Sequence, residues 1–312
     1  MIHGTLSMPS KTFSLPTFRN LIRLMRPRQW LKNLLLFAGI IFSHNCGNGT
    51  LALRAIAGFC LFCLLSGAVY ILNDLQDTEA DRLHPRKKNR PLAARLVKRR
   101  TAFYWAMILT AIGLGFSFLL SASFGLAAMA YYVLTLLYSH IFKHVAIVDV
   151  ILLASGFVLR AIAGVVVIRV SNGPAVPMTP WFVICILFLA LFVAICKRRH
   201  ELTSMEEASN HRRVLEECSP AFLDQMISVS SSATIISYAL YLVAGPHGGV
   251  FEPTQDLRLL STLPFVIYGV FRYLYLVYKR GEGGEPETLI LKDKPFLANV
   301  LFWLVLMVYL LP

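Results

Sequence analysis

Apolar residues in this chain run in long blocks, separated by polar and mostly basic stretches. Nine blocks, at roughly 33–46, 53–73, 102–121, 124–142, 146–168, 180–196, 226–245, 257–278 and 295–311, approach or exceed the ~18 residues that cross a hydrocarbon core. The third and fourth almost merge, broken only at Ser121-Ala122-Ser123. Blocks that are apolar on every side must be surrounded by lipid or by other helices. The pattern therefore predicts an all-α membrane protein, a bundle of about nine transmembrane helices. No stretch rich in Gly, Pro or Ser divides it and no close internal repeat is visible. One integral-membrane domain over 16–312 is expected, behind a tail, 1–15, read as disordered. The first 32 residues are polar and basic and the first apolar run lacks a small-residue cleavage site, so no cleavable signal peptide is expected.

Composition sharpens this. The chain of 312 residues is 56% hydrophobic and 15% charged, whereas a soluble domain carries about a quarter charged residues. The net charge of +13 is also unevenly placed. The N-terminus and the loops after even-numbered spans hold 25 of the 30 Lys and Arg, against 3 on the other side and two inside spans, Arg160 and Arg272. Basic loops stay in the cytoplasm, so the N-terminus is expected inside and the C-terminus outside. The excess fits topology and anionic headgroups as well as it fits an anionic substrate; only particular residues separate the two. No nucleic-acid partner is expected, and monomer and homo-oligomer both stay open. Six cysteines are present; Cys60-x-x-Cys63 lies mid-span without a second pair and is read as core, with no disulfide framework.

The candidate chemistry starts at Asn73-Asp74-x-x-Asp77-x-x-x-Asp81, where the second block ends. On a continuing helix the three aspartates fall within about 60° of arc. Three carboxylates on one face repel one another, so helix stability does not recommend the arrangement, but a divalent cation does. Mg²⁺ prefers oxygen ligands and is usually held by one or two carboxylates plus substrate phosphates. The bland alternative is a solvated helix end paired with its basic neighbours. The following loop offers Arg82, His84, Arg86, Lys87, Lys88 and Arg90, with Pro85 and Pro91 limiting its freedom. Of these Arg90, beside Pro91, is singled out as a phosphate partner.

Span number, topology and N-D-x-x-D-x-x-x-D-R resemble the UbiA-type intramembrane prenyltransferase superfamily, in which the first Asp-rich motif binds diphosphate through Mg²⁺. Aromatic prenyltransferases of that superfamily usually carry a second Asp-rich motif in the later half. Here the corresponding place reads Lys197-Arg198-Arg199-His200-Glu201-Leu202, and that departure weakens the prenyl-transfer reading. Further segments resemble one branch, the polyprenyl-phosphate phosphoribosyltransferases: Arg26-Pro27-Arg28-Gln29-Trp30-x-Lys32-Asn33, His84-Pro85, Tyr138-Ser139 with Lys143, Asp149, Gly156 to Gly164 around Arg160, Arg272-Tyr273 and Gly283-Gly284-x-Pro286-Glu287. The resemblance spreads over nearly the whole chain. It implies a UbiA-like bundle in a bacterial inner (plasma) membrane, with the active site facing the cytoplasm. It also implies transfer of a 5-phosphoribosyl group from phosphoribosyl pyrophosphate to a polyprenyl (decaprenyl-like) phosphate, releasing pyrophosphate. The alternative is transfer of a polyprenyl chain from its diphosphate to an aromatic or other acceptor; a transporter or lipid-binding scaffold is a third reading.

Under the first reading Asp74, Asp77 and Asp81 bind Mg²⁺ and act in catalysis with Lys143 and Asp149. Lys32, Asn73, His84, Arg90, Tyr138, Arg160, Lys197 and Arg198 bind the phosphate-bearing substrates. Asp149 and Arg160 lie 11 residues apart, so they share a face about 16 Å apart along span five. Gly156 and Gly164 lie near that stripe and suit a cavity lining or a close packing seam. Arg160 deep in the apolar layer requires a partner, and an intramembrane ion pair is the structural alternative. For Lys143, Lys32 and Tyr138 the alternative is interfacial anchoring; for His84 it is a solvated loop histidine and for Arg272 snorkelling. An acceptor phosphate is already anionic, so no strong general base is needed.

Overall fold

A computed structural model describes residues 18–43, 45, 47–85, 87–170, 178–203, 218–244, 257–284 and 286–310. The expected tail 1–15, Cys46 and Arg86 lie outside these residues. The described chain is helical, with no strand among the described residues. In order it forms α1 (Phe18–Leu24), a 3₁₀ segment (Pro27–Phe37), α2 (Ala38–Phe42), α3 (Gly49–Gln76), α4 (Thr78–Leu83), α5 (Arg99–Leu120) and α6 (Ala122–His140). It continues through α7 (Val148–Ile168), α8 (Pro180–Thr203), α9 (Pro220–Ala244), a 3₁₀ turn (Leu257–Thr262), α10 (Leu263–Arg280), α11 (Pro286–Lys292) and α12 (Lys294–Leu310).

Seven of these stretches are long and apolar enough to cross a membrane: α3, α5, α6, α7, α8, α9 and Arg258–Arg280. Two of the nine expected spans are shorter. The last is α12, a 17-residue apolar helix. The first is not a regular α-helix. Pro27 opens it at the position where proline is preferred, and the chain runs as an 11-residue 3₁₀ segment before the five residues of α2. At about 2.0 Å of rise per residue such a segment reaches further than an α-helix of equal length. It packs between α3 and α7. There Gly39 and Gly164 bring two backbones together: a Cβ on Gly164 would stand 2.7 Å from the Leu36 carbonyl carbon. Gly164 is thus a packing seam.

Three apolar cores lie within the bundle, one of them holding Leu24, Ile71 and Ala106. Another gathers Phe62, Phe124, Tyr131, Ala161 and Val165 from α3, α6 and α7, with Tyr238 and Tyr241 of α9. The third gathers Phe192, Ile195, Ile227, Tyr273 and Leu276 from α8, α9 and α10. In α9, Ser230, Thr234 and Ser237 return their hydroxyl protons to carbonyls of their own helix, which removes the polar cost of burying small residues where α8 packs closely. Cys63 and Cys196 are buried as core residues, and the five described cysteines are free thiols.

The helix ends away from the basic loops are tied by one cation. Arg54 donates to the Val167 carbonyl at 2.8 Å and the Leu120 carbonyl at 2.9 Å, satisfying final carbonyls of α5 and α7, where positive charge is favoured. Arg54→Ala is expected to destabilise the bundle by about 2 kcal/mol, read as a drop of several degrees in the unfolding midpoint in detergent; an unchanged midpoint refutes this role. At the opposite end Arg272 does more than snorkel. It holds Asp293 through Nε at 3.1 Å and Nη2 at 2.9 Å, while Asp293 accepts the Phe296 N–H and so caps α12. That guanidinium keeps the Asp293 carboxyl below its ordinary range.

Candidate anion and metal site at the basic end of the bundle

Helix α3 stops at Gln76, and Asp77 forms a turn with φ −87° and ψ 7° before α4 begins. The hydrogen bonds from Asp77 N to Asn73 O and from Asp81 N to Asp77 O bridge the break, so the aspartates stay on nearly one face. They do not share one environment. Asp74 and Asp81 are 2% and 3% exposed, and both accept from a single atom, Arg90 Nη1, at 3.1 and 2.5 Å. Asp74 Oδ1 also accepts from Arg26. Asp77 is half-exposed and pairs with Lys143 Nζ at 3.2 Å. Among the described residues no three acidic, His or Cys groups form a cage by themselves.

Arg90, singled out from sequence as a phosphate partner, thus reaches the aspartates themselves. His84 instead accepts the Lys87 N–H on Nδ1 at 3.4 Å and folds the turn at Lys87–Asn89. Asn73 Oδ1 is buried without a hydrogen-bond partner among the described residues, an acceptor left open beside two buried carboxylates.

A second cluster stands across the same end. Helix α8 does not stop where its apolar run stops but continues to Thr203, so Lys197 to Glu201 lie on a helix and not on a loop. Partners stabilise that charged turn. Arg198, 6% exposed, donates to Asp149 at 2.7 Å, Glu201 at 2.5 Å and the Tyr138 hydroxyl at 3.2 Å. Asp149, in the first turn of α7, is thus committed to Arg198. The residue before that helix, Ile147, has φ 67°, a conformation β-branched residues avoid. Lys197 lies half-buried on the same turn.

The third element lies deeper. Arg160, 6% exposed, donates to Asn33 Oδ1 at 2.9 Å, the Gly156 carbonyl at 3.0 Å and the Tyr131 hydroxyl at 2.8 Å. Its guanidinium lies 4.5 Å from the Tyr131 ring centre and 5.2 Å from that of Phe157. Asn33 is itself anchored, donating to Ser66 Oγ and Cys63 Sγ. Lys32 comes near enough to interact electrostatically with Tyr131. The alternative of an intramembrane ion pair finds no carboxylate among the described partners of Arg160. Three of its five N–H groups are used.

Tyr131 joins the site without having been singled out from sequence, and Arg26, Asn33 and Glu201, noted there only as parts of longer matching segments, prove to be direct partners in it. Tyr131 was within reach of sequence reasoning, since it precedes Tyr138 by seven residues and so shares its face of α6.

A family model described as the UbiA prenyltransferase family matches residues 34–300. Decaprenyl-phosphate phosphoribosyltransferase of Mycolicibacterium smegmatis is 32% identical over 293 residues, covering 91% of this chain and 90% of that protein. The protein of the same name from Corynebacterium glutamicum is 33% identical over 301 residues, covering 94% and 87%. Among solved structures, a UbiA homolog from Archaeoglobus fulgidus bound to GPP and Mg²⁺ has the same fold, with a TM-score of 0.69 at 20% identity over 94% of this chain and 99% of that one.

Proposed function

This chain belongs to the UbiA prenyltransferase family and is a multi-pass membrane transferase, and from that premise we propose that it transfers a 5-phosphoribosyl group from phosphoribosyl pyrophosphate to a polyprenyl phosphate. An oxygen of the lipid phosphate attacks C1 of the ribose, the bond from C1 to the pyrophosphate oxygen breaks, and pyrophosphate leaves. The chemistry takes place at the cytoplasmic membrane face, where the basic loops are expected.

The observation that carries this reading is Arg160. A guanidinium buried in an apolar bundle with only neutral described partners is a costly arrangement. It is stabilised when an anion occupies it. It forms a second anion-binding pole apart from the aspartates, and Arg198 adds a third cation at the place where prenyltransferases carry a second acidic motif. Two phosphorylated substrates require that many cationic groups; a neutral aromatic acceptor does not. The names of the relatives support the same assignment.

The donor set fits a hard divalent cation. Every ligand is an oxygen, one Arg90 nitrogen already touches both Asp74 and Asp81, and Asn73 Oδ1 is open. Asp74 and Asp81, with Asp77 beside them, would hold Mg²⁺, which when bound neutralises charge developing on the leaving pyrophosphate. Arg90 and Lys143 supply the remaining positive charge there. Asp149 and Tyr138 hold the Arg198 guanidinium in one orientation, and Lys32, Asn33 and Tyr131 shape the Arg160 pole. Catalysis is then positioning and electrostatic stabilisation.

The direct test incubates purified protein and Mg²⁺ with radiolabelled phosphoribosyl pyrophosphate and polyprenyl phosphate. Label in the lipid fraction is expected; no labelled lipid, with prenylation of an aromatic acid instead, overturns the assignment. In the same assay Arg160→Lys is expected to lower kcat/KM by about 30-fold or more, because a lysine cannot reproduce the planar fork that reaches Asn33 and Tyr131 together. Wild-type kinetics in that variant would leave Arg160 a packing residue only.

A further inference from the structure

We propose that Arg26 is a phosphate-binding residue held in reserve on Asp74, which it releases to the cation when a metal-bound diphosphate enters. The proposal rests on reading the aspartate cluster as a metal–diphosphate site, and it adds a residue and a sequence of partners to that site.

The geometry of the pair sets Arg26 apart from its neighbours. Arg26 and Arg90 both donate to the same atom, Asp74 Oδ1, so one carboxylate oxygen carries two guanidiniums. Arg90 has Asp81 as a second carboxylate; Arg26 has none among the described residues. When Arg26 leaves, Asp74 and Asp81 both remain paired through Arg90. When Arg90 leaves, Asp81 loses its described cation. Of the two guanidiniums, Arg26 is thus the one that can depart at least expense to the buried pair Asp74 and Asp81.

Its surroundings suit a change of partner. The Arg26 side chain is 28% exposed while Asp74 beneath it is 3% exposed, so an anion can approach the guanidinium from outside without unpacking the bundle. The Tyr70 ring lies 5.0 Å from its centre. Such a platform keeps the guanidinium plane oriented and consumes none of its N–H donors. The backbone adds a fourth observation. Arg26 has φ 52° and ψ 66°, left-handed for a residue with a Cβ, and Pro27 follows it directly. Left-handed non-glycine residues concentrate at working sites, and this one aims a phosphate-compatible side chain at the carboxylate expected to hold the metal.

Charge explains why the exchange is required. Before any ligand arrives, Arg26, Arg90 and Lys143 balance Asp74, Asp77 and Asp81. A divalent cation cannot gain fully from Asp74 while two guanidiniums occupy Oδ1, and a diphosphate cannot gain fully from guanidiniums that are turned to carboxylates. With a cation held by Asp74, Arg26 would be free for the phosphate oxygens of the diphosphate bound beside it, where charge-assisted bonds are strongest.

The test uses full-length protein in detergent, with binding of Mn²⁺ alone followed by electron paramagnetic resonance and binding of inorganic pyrophosphate in excess Mg²⁺ followed by calorimetry. Arg26→Gln is expected to bind Mn²⁺ alone roughly threefold more tightly, because one competing cation is gone, and Mg²⁺-pyrophosphate about tenfold more weakly. Arg26→Lys, which keeps the charge without the fork, is expected to lie between the two in both measurements and serves as the deciding variant if the glutamine protein does not fold. Unchanged affinities, or a parallel weakening of both ligands as from a merely structural residue, overturn the proposal. If wild-type protein itself binds no pyrophosphate in Mg²⁺, the metal-site reading fails instead, so the two failures are distinguishable.

Discussion

Asp74→Asn is expected to leave less than about a thousandth of wild-type transfer activity in a protein that still folds. The substitution preserves shape and removes one charge from a carboxylate that is 2% exposed and holds two guanidiniums. A neutral amide is a weak ligand for a hard cation, so the metal pole loses its most enclosed oxygen. Folding survives for a specific reason. Arg26 and Arg90 have side chains 28% and 26% exposed, so solvent recovers part of what each loses, and Arg90 retains Asp81. Radiolabelled lipid formation measures the activity, and the unfolding midpoint in detergent checks the fold. Asp77→Asn makes the contrast: its carboxylate is 42% exposed and bonds Lys143 alone among the described residues, so the loss is expected to be smaller by an order of magnitude or more. Full activity in Asp74→Asn would mean that the metal pole lies elsewhere.

Gly164→Ala is expected to be, with Gly39→Ala, the most damaging added methyl among the described glycines. The added Cβ would stand 2.7 Å from both the Leu36 carbonyl carbon and its Cα. These are backbone atoms that no rotamer change can move. The facing Gly39 is as tight, with a Cβ 2.7 Å from Val165 N. The 3₁₀ segment must withdraw from α7, opening a gap along its length, for a loss of about 3 kcal/mol or more. Activity should fall with stability, because the same segment carries Asn33 to Arg160. Gly156→Ala is the control on the same helix: its nearest neighbour would be Arg160 Nη1 at 3.7 Å, ordinary contact, and stability close to wild type is expected. Equal unfolding midpoints for the two variants would refute the seam.

Much of this architecture was legible from hydropathy. The second to fifth blocks match α3, α5, α6 and α7 within a few residues, because those helices end where their apolar runs end. The sixth block misled at its end. Helix α8 runs on through Lys197-Arg198-Arg199-His200-Glu201 because Asp149, Tyr138 and Glu201 pair with Arg198, and hydropathy has no means of registering a partner on another helix. The first block misled in kind, since a 3₁₀ segment and an α-helix present the same apolar composition, and only Pro27 hinted at the joint. In the site, the arc of aspartates predicted a common face but not that Asp77 would turn to Lys143. Arg160 stood out as a charge in an apolar run, yet its partners come from positions 29 and 127 residues away. Arg26 carried no chemical signal of its own and stood out only as the first residue of the Arg26-Pro27-Arg28-Gln29-Trp30 segment that resembles the phosphoribosyltransferase branch.

The 3₁₀ segment has one more consequence. It begins at Arg26 on Asp74, passes through Asn33 on Arg160, and its continuation closes at Gly39 against Gly164. One short piece of backbone thus touches both places where substrates are expected to dock. Thermodynamic linkage then applies: if occupying one pole shifts this segment, it changes affinity at the other, and by the same factor in reverse. Donor and acceptor are therefore expected to bind cooperatively and not as independent events, and the Kd of Mg²⁺-pyrophosphate measured with and without a short polyprenyl phosphate gives the coupling as a ratio. A ratio of one would mean that the segment is a passive strut.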